Sequence, residues 1–154
     1  MDALIARYSD RILYAAGEAA ADKSISISER IVGTVLAMNI SSSQEVFQHI
    51  HKPQNALMHW KIQKAVVSGL TPLLAAIVRD GIAQGLFNTP FPYECMEMLV
   101  SYANMVFDDD MISMTDEERV SRIKAFVFHA ERMLGAESGS LRDMMQMFGE
   151  SGGE

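Results

Sequence analysis

Pro92-Tyr93-Glu94-Cys95-Met96-Glu97-Met98-Leu99-Val100-Ser101-Tyr102-Ala103-Asn104-Met105-Val106-Phe107 is the stretch whose reading decides the fold. Its polar residues Glu94, Glu97, Ser101 and Asn104 fall at i, i+3, i+7 and i+10, a single stripe along a helix. The other twelve of the sixteen residues are apolar or proline, so two sides of the helix are left wanting burial. Pro92 suits the first helical turn. Asp108-Asp109-Asp110 ends the helix, because carboxylates there oppose the macrodipole, and they are expected to stay in water.

Downstream, Thr115-Asp116-Glu117-Glu118 reads as a capping box with acids in the favourable first turn. It opens a helix over 116–134 that Gly135 caps. Val120, Ile123, Val127, Ala130 and Leu134 alternate by three and four, which is a packing seam. Phe126, Phe128 and Met133 lie beyond that seam, so this helix also has more than one face to bury. Ser140 opens a short amphipathic helix with Leu141, Met144, Met145 and Phe148. Residues 151–154 form a polar tail.

Upstream, two prolines in Phe87-Asn88-Thr89-Pro90-Phe91-Pro92 hold an extended link. A long helix precedes it over 54–84, with Met58, Ile62, Ala65, Leu73 and Ile77 on one face and Leu57, Val67, Leu70, Leu74 and Val78 on the other. Apolar residues on both sides predict a central helix. Pro72 predicts a kink or a break within it, Gly81 a loosened end, and Gly85 a C′ cap. Ser26-Ile27-Ser28-Glu29 is a capping box for a helix carrying Ile27, Ile31, Val35 and Met38. A short helix over 43–50 carries Val46, Phe47 and Ile50 before Pro53. The first helix spans 2–20, with Leu4, Tyr8, Ile12, Ala15 and Ala19 as its apolar face. No segment alternates as a strand does. The fold class is therefore all-α, about seven helices in one domain over 1–150.

The chain has 154 residues, 49% of them hydrophobic and 21% charged, enough for a packed core and too few charges for disorder. A net charge of -7 with only 13 scattered basic residues argues against direct grip on nucleic acid. Cys95 has no internal disulfide partner, which fits a reducing cytoplasm, and it reads as a small buried apolar residue. No leader is visible, and no apolar stretch is read as long enough to span a bilayer, so no membrane partner is expected.

Motifs for chemistry are missing. His49, His51, His59 and His129 lack metal-ligand spacing, and no Glu-x-x-His pair occurs. No Gly-x-Ser-x-Gly elbow or phosphate loop is present. No metal, cofactor or enzymatic activity is expected. Met58, His59, Trp60, Ile62 and Gln63 combine bulky apolar groups with polar tips; a small-molecule pocket and plain core packing both suit that mixture.

Gly81-Ile82-Ala83-Gln84-Gly85-Leu86-Phe87-Asn88-Thr89-Pro90-Phe91-Pro92 resembles the C-terminal domain of bacterial TetR-type transcriptional regulators. Helix order and lengths resemble that domain across nearly the whole chain, and 2–12 resembles its connecting helix. The resemblance implies a cytoplasmic, ligand-responsive regulator, such as a repressor. The first helices would surround a pocket for a small, largely apolar effector. His59, Gln63 and Tyr93 would supply its polar tips, and Tyr8, Ile12, Met38, Phe47, Met58, Ile62, Val66 and Met96 its walls. The helices at 92–107 and 116–134 would form a four-helix bundle with a second copy. Met98, Val100, Tyr102, Met105, Val120, Ile123, Val127 and Phe128 would lie at that homodimer interface. The family's helix-turn-helix has no counterpart here, so DNA would be contacted only through a domain expected to precede Met1. The alternative is a helical interaction or carrier protein without DNA binding.

Overall fold

The computed structural model describes residues 2–41, 56–108 and 111–148, and every regular element among them is helical. In chain order these are α1 (Asp2–Ala21), α2 (Ile27–Ser41), α3 (Ala56–Ala83), α4 (Pro92–Val106), α5 (Asp116–Leu134) and a 3-10 helix (Arg142–Phe148). The helix expected over 43–50 and the tail over 151–154 lie outside the described residues. α3 packs against α1, α2 and α4; α4 packs in turn on α5, and the 3-10 helix lies between α2 and α5. Ile31, Ile77, Val78, Met96, Ile123 and Leu134 are the most deeply buried large apolar residues.

α1 buries Ile5, Ser9, Ile12, Ala16 and Ala20, a face rotated from the one expected. Tyr8, Ala15 and Ala19 flank it at intermediate exposure. The rotation has a packing cause, because Leu13 seats directly over Gly69 of α3 and sets the angle at which α1 lies. α2 opens as expected: Ser26 N–H donates to the Glu29 carboxylate at 2.8 Å, and Glu29 N–H donates to Ser26 Oγ at 3.2 Å. Arg30 is buried at 4% exposure. It donates Nε at 3.0 Å and Nη2 at 2.6 Å to the Ala20 carbonyl, and Nη1 at 2.9 Å to Asp80. One guanidinium thus satisfies an orphan carbonyl at the end of α1 and joins three helices.

Pro72 does not break α3, which runs unbroken over 28 residues. Pro72 and Ser68, whose carbonyl the proline cannot bond, both face outward, where solvent can supply the missing donor. The reading that no apolar stretch is long enough for a bilayer also needs correction. By length and composition α3 qualifies, with a mean hydropathy of 1.5 over its most apolar window. That apolarity serves a central position, since α1, α2 and α4 all pack on it.

The end of α3 shows why its glycines are there. Gly85 adopts φ 76°, and Leu86 N–H and Gly85 N–H donate to the carbonyls of Gly81 and Ile82 at 2.9 and 3.0 Å, a Schellman closure. Gly81 does not loosen the helix. A Cβ there would stand 2.5 Å from the Phe87 ring, so the glycine makes the seat for that buried side chain. The link then docks on α5, because Asn88 N–H donates to the Leu134 carbonyl at 2.8 Å and the Asn88 backbone lies over Gly135.

α5 carries the expected reciprocal capping box, with Thr115 N–H to Glu118 at 2.8 Å and Glu118 N–H to Thr115 Oγ1 at 3.2 Å. Gly135 at φ 60° closes it. The last helix is 3-10, and Ser140 does not cap it; its hydroxyl donates back to the Glu137 carbonyl. Glu131, buried at 5% exposure, performs the turn's capping by accepting Gly139 N–H and Leu141 N–H at 3.0 Å each.

Candidate ligand site and pairing face

His59 and Gln63 stand one helical turn apart on α3 and meet Asp108, just past the end of α4. His59 Nε2 lies 2.9 Å from Asp108 Oδ2, and the Gln63 amide nitrogen donates to the same oxygen. Which partner donates in the His59–Asp108 contact depends on the imidazole tautomer. The Gln63 nitrogen, 3.1 Å from His59 Nε2, is held there by the shared acceptor. Only 14% of the His59 side chain and 11% of the Asp108 side chain are exposed. Asp108 therefore departs from the expectation that all three terminal aspartates stay in water. Its sequence signal is the adverse macrodipole itself, because a carboxylate at a helix C-terminus needs donors from elsewhere.

On the neighbouring strip of α3, Met58 and Ile62 form a small buried cluster with Ile5 of α1, and Tyr8 and Val66 pack against it. Its buried members are distinct from those of the principal core, and Tyr8 and Val66 pack against both. Burying such side chains contributes about 1.5–3 kcal/mol each. Of the residues expected to line a pocket, Tyr8, Met58, Ile62 and Val66 are thus brought together, with His59 and Gln63 on the next strip. Ile12, Met38 and Met96 lie instead within the principal core, and Tyr93 packs against that core. Phe47 lies outside the described residues. Trp60 points outward at 58% exposure, with Lys64 Nζ 5.4 Å from its ring. Arg30 and Glu131, which organise the packing around these elements, carry no motif that sequence reasoning could have flagged.

A second feature faces outward. Met98 (61% exposed), Tyr102 (43%) and Met105 (49%) of α4, and Phe128 (49%) of α5, are large apolar side chains left at the surface. Glu94, Glu97 and Ser101 share the exposed side of α4 with them. Val120 is half-buried and borders a shallow depression of about 480 Å³ with Asp116, Glu117, Ser121 and Lys124. Val100, Ile123 and Val127 do not belong to this face. They are buried within the protomer, because the same seam that could meet a second copy already closes the domain's own core. Behind the face, Tyr102 stacks on Phe126 at 6.0 Å between ring centroids, and Phe107 meets both edge-on.

Cys95 is buried as expected, with Sγ 3.4 Å from Thr89 Oγ1 and 3.5 Å from the Met133 carbonyl. Among the described residues, no cluster of His, Cys, Asp and Glu has metal-binding geometry. No curated protein matches the chain. Residues 38–129, from the end of α2 to the penultimate turns of α5, match the family described as Tetracyclin repressor-like, C-terminal domain. The chain belongs to the tetracyclin repressor-like C-terminal domain family.

Proposed function

We propose that this chain is the effector-binding and dimerisation part of a cytoplasmic, ligand-responsive transcriptional regulator. Domains of this family generally pair as dimers and take small-molecule ligands. The effector is small and largely apolar, and it enters between the N-terminal halves of α1 and α3. One observation carries this reading: a part-buried polar knot of His59, Gln63 and Asp108 lies beside a small apolar cluster that Tyr8 and Val66 join to the principal core. Such a site is apolar with few placed polar groups, the usual composition of a small-molecule site. The exposed residues Met98, Tyr102, Met105 and Phe128 form the pairing face. DNA contact falls to a helix-turn-helix outside these residues, a reading supported by the net charge of -7, which disfavours grip on phosphates.

Binding that separates α1 from α3 changes the setting of α1 only insofar as the effector prefers one arrangement over the other. Native mass spectrometry of the purified domain tests the reading directly. A bound small molecule is expected in the wild type, and it is lost in His59→Ala with the fold retained. Equal retention of that molecule by His59→Ala would remove His59 from the site.

A further inference from the structure

Glu131 is a buried carboxylate whose two oxygens accept backbone N–H groups of Gly139 and Leu141 and, among the described residues, meet no cation. It spends its charge on holding a turn. That turn launches the 3-10 helix; Leu141, just before it, and Met144, within it, are buried at 2% and 3% exposure. The helix packs on α2 to one side and on α5 to the other. At its end the Phe148 ring lies 4.5 Å from Phe107 and 5.4 Å from Phe126. Phe126 and Phe107 are the two rings that back Tyr102, an exposed member of the pairing face. A continuous series of contacts thus runs from α2 through the strap at Arg142–Phe148 to the rear of that face.

The geometry points to Glu131 and Phe148 as positioning residues: Glu131 anchors a C-terminal strap that sets α2 against α5, and Phe148 buttresses the pairing face from behind. This inference rests on the pairing face proposed above. An effector that moves α2 would move the strap, and the strap would tilt Phe126 and Tyr102, so coupling needs no direct contact between effector and partner.

The test combines hydrogen exchange with sedimentation equilibrium on the full chain. In Glu131→Gln the carboxamide has one oxygen for two N–H donors, so the anchor is halved. Exchange is expected to accelerate about tenfold both in 139–148 and in α2, while 5–9 of α1 stays protected. In Phe148→Ala the dimer Kd is expected to rise about tenfold with helicity unchanged, within the usual range of coupling between sites. Acceleration confined to 139–141 would reduce Glu131 to a local cap, and uniform acceleration in every helix would reduce it to general stability; either overturns the strap. An unchanged Kd in Phe148→Ala overturns the buttress. A monomeric wild type is a distinct result, since it defeats the pairing face itself and leaves the exchange pattern to judge the strap.

Discussion

Gly81 and Gly33 are both helical glycines, yet their surroundings assign them opposite costs. A Cβ at Gly81 would drive into the Phe87 ring, while a Cβ at Gly33 meets nothing within 4 Å. Gly81→Ala is expected to destabilise the fold by about 1–3 kcal/mol through overpacking. Gly33→Ala is expected to stabilise it by roughly 0.5–1 kcal/mol through helix propensity. Urea denaturation of the two variants decides the matter, and equal effects would show that Phe87 is not seated on Gly81. Asp80 makes a second residue-scale test. The hydrogen bond from Arg30 holds its carboxyl below the ordinary value of 3.8, with Lys23 and the Arg30 charge assisting against a partial desolvation. A carboxyl lowered in the folded state stabilises that state above its unfolded pKa, and the benefit disappears as pH falls through the folded value. Wild type should therefore lose stability on acidification below about pH 4, and Asp80→Asn should start less stable at neutral pH and fall less steeply. Denaturant midpoints at neutral and acid pH check it; parallel curves would show that Asp80 contributes nothing to acid sensitivity.

At the scale of the element, α5 and α4 present opposite ends of the capping problem. α5 begins with a complete Thr115–Glu118 box and acids in its first turn. Thr115→Ala should cost about 1 kcal/mol, read as a lowered melting temperature. A change within error would show that neighbouring groups already satisfy those N–H donors. α4 begins without a side-chain cap, on Phe91 with proline in its first turn. It ends near Asp108, against the helix dipole, and donors from α3 help make that residue tolerable. The capping boxes were legible in the sequence because both partners lie within four residues. The Asp108 knot was not, because its partners lie 45 and 49 residues away. Of the kink or break expected at Pro72, the break does not occur, for a related reason. Proline's local cost is fixed by chemistry, whereas the packing of α3 on three other helices outweighs it.

For the whole molecule, the separation of core from pairing face predicts two kinds of charge substitution. Met98→Glu and Phe128→Glu should yield folded monomers in sedimentation, since both side chains are exposed in the protomer. Val100→Glu should unfold the protomer instead, because Val100 is 6% exposed and an uncompensated carboxylate there has no water. Circular dichroism beside sedimentation distinguishes the two outcomes. A folded monomer from Val100→Glu would return that residue to the pairing face.

What the sequence determined by itself was local: helix positions from spacing, ends from capping boxes and αL glycines, and an all-helical class from the absence of alternation. It also showed, in the narrow polar stripe of 92–107, that α4 has more apolar surface than one side can bury. Tertiary structure alone decided how that surplus is divided. Cys95, Met96, Leu99 and Val100 went inward, and Met98, Tyr102 and Met105 were left outward. It likewise set the rotation of α1, through the fit of Leu13 on Gly69, and placed Arg30 and Glu131 as interior anchors. Periodicity records how much apolar surface a helix carries, but the direction each side chain faces depends on neighbours brought close by folding, distant in the chain.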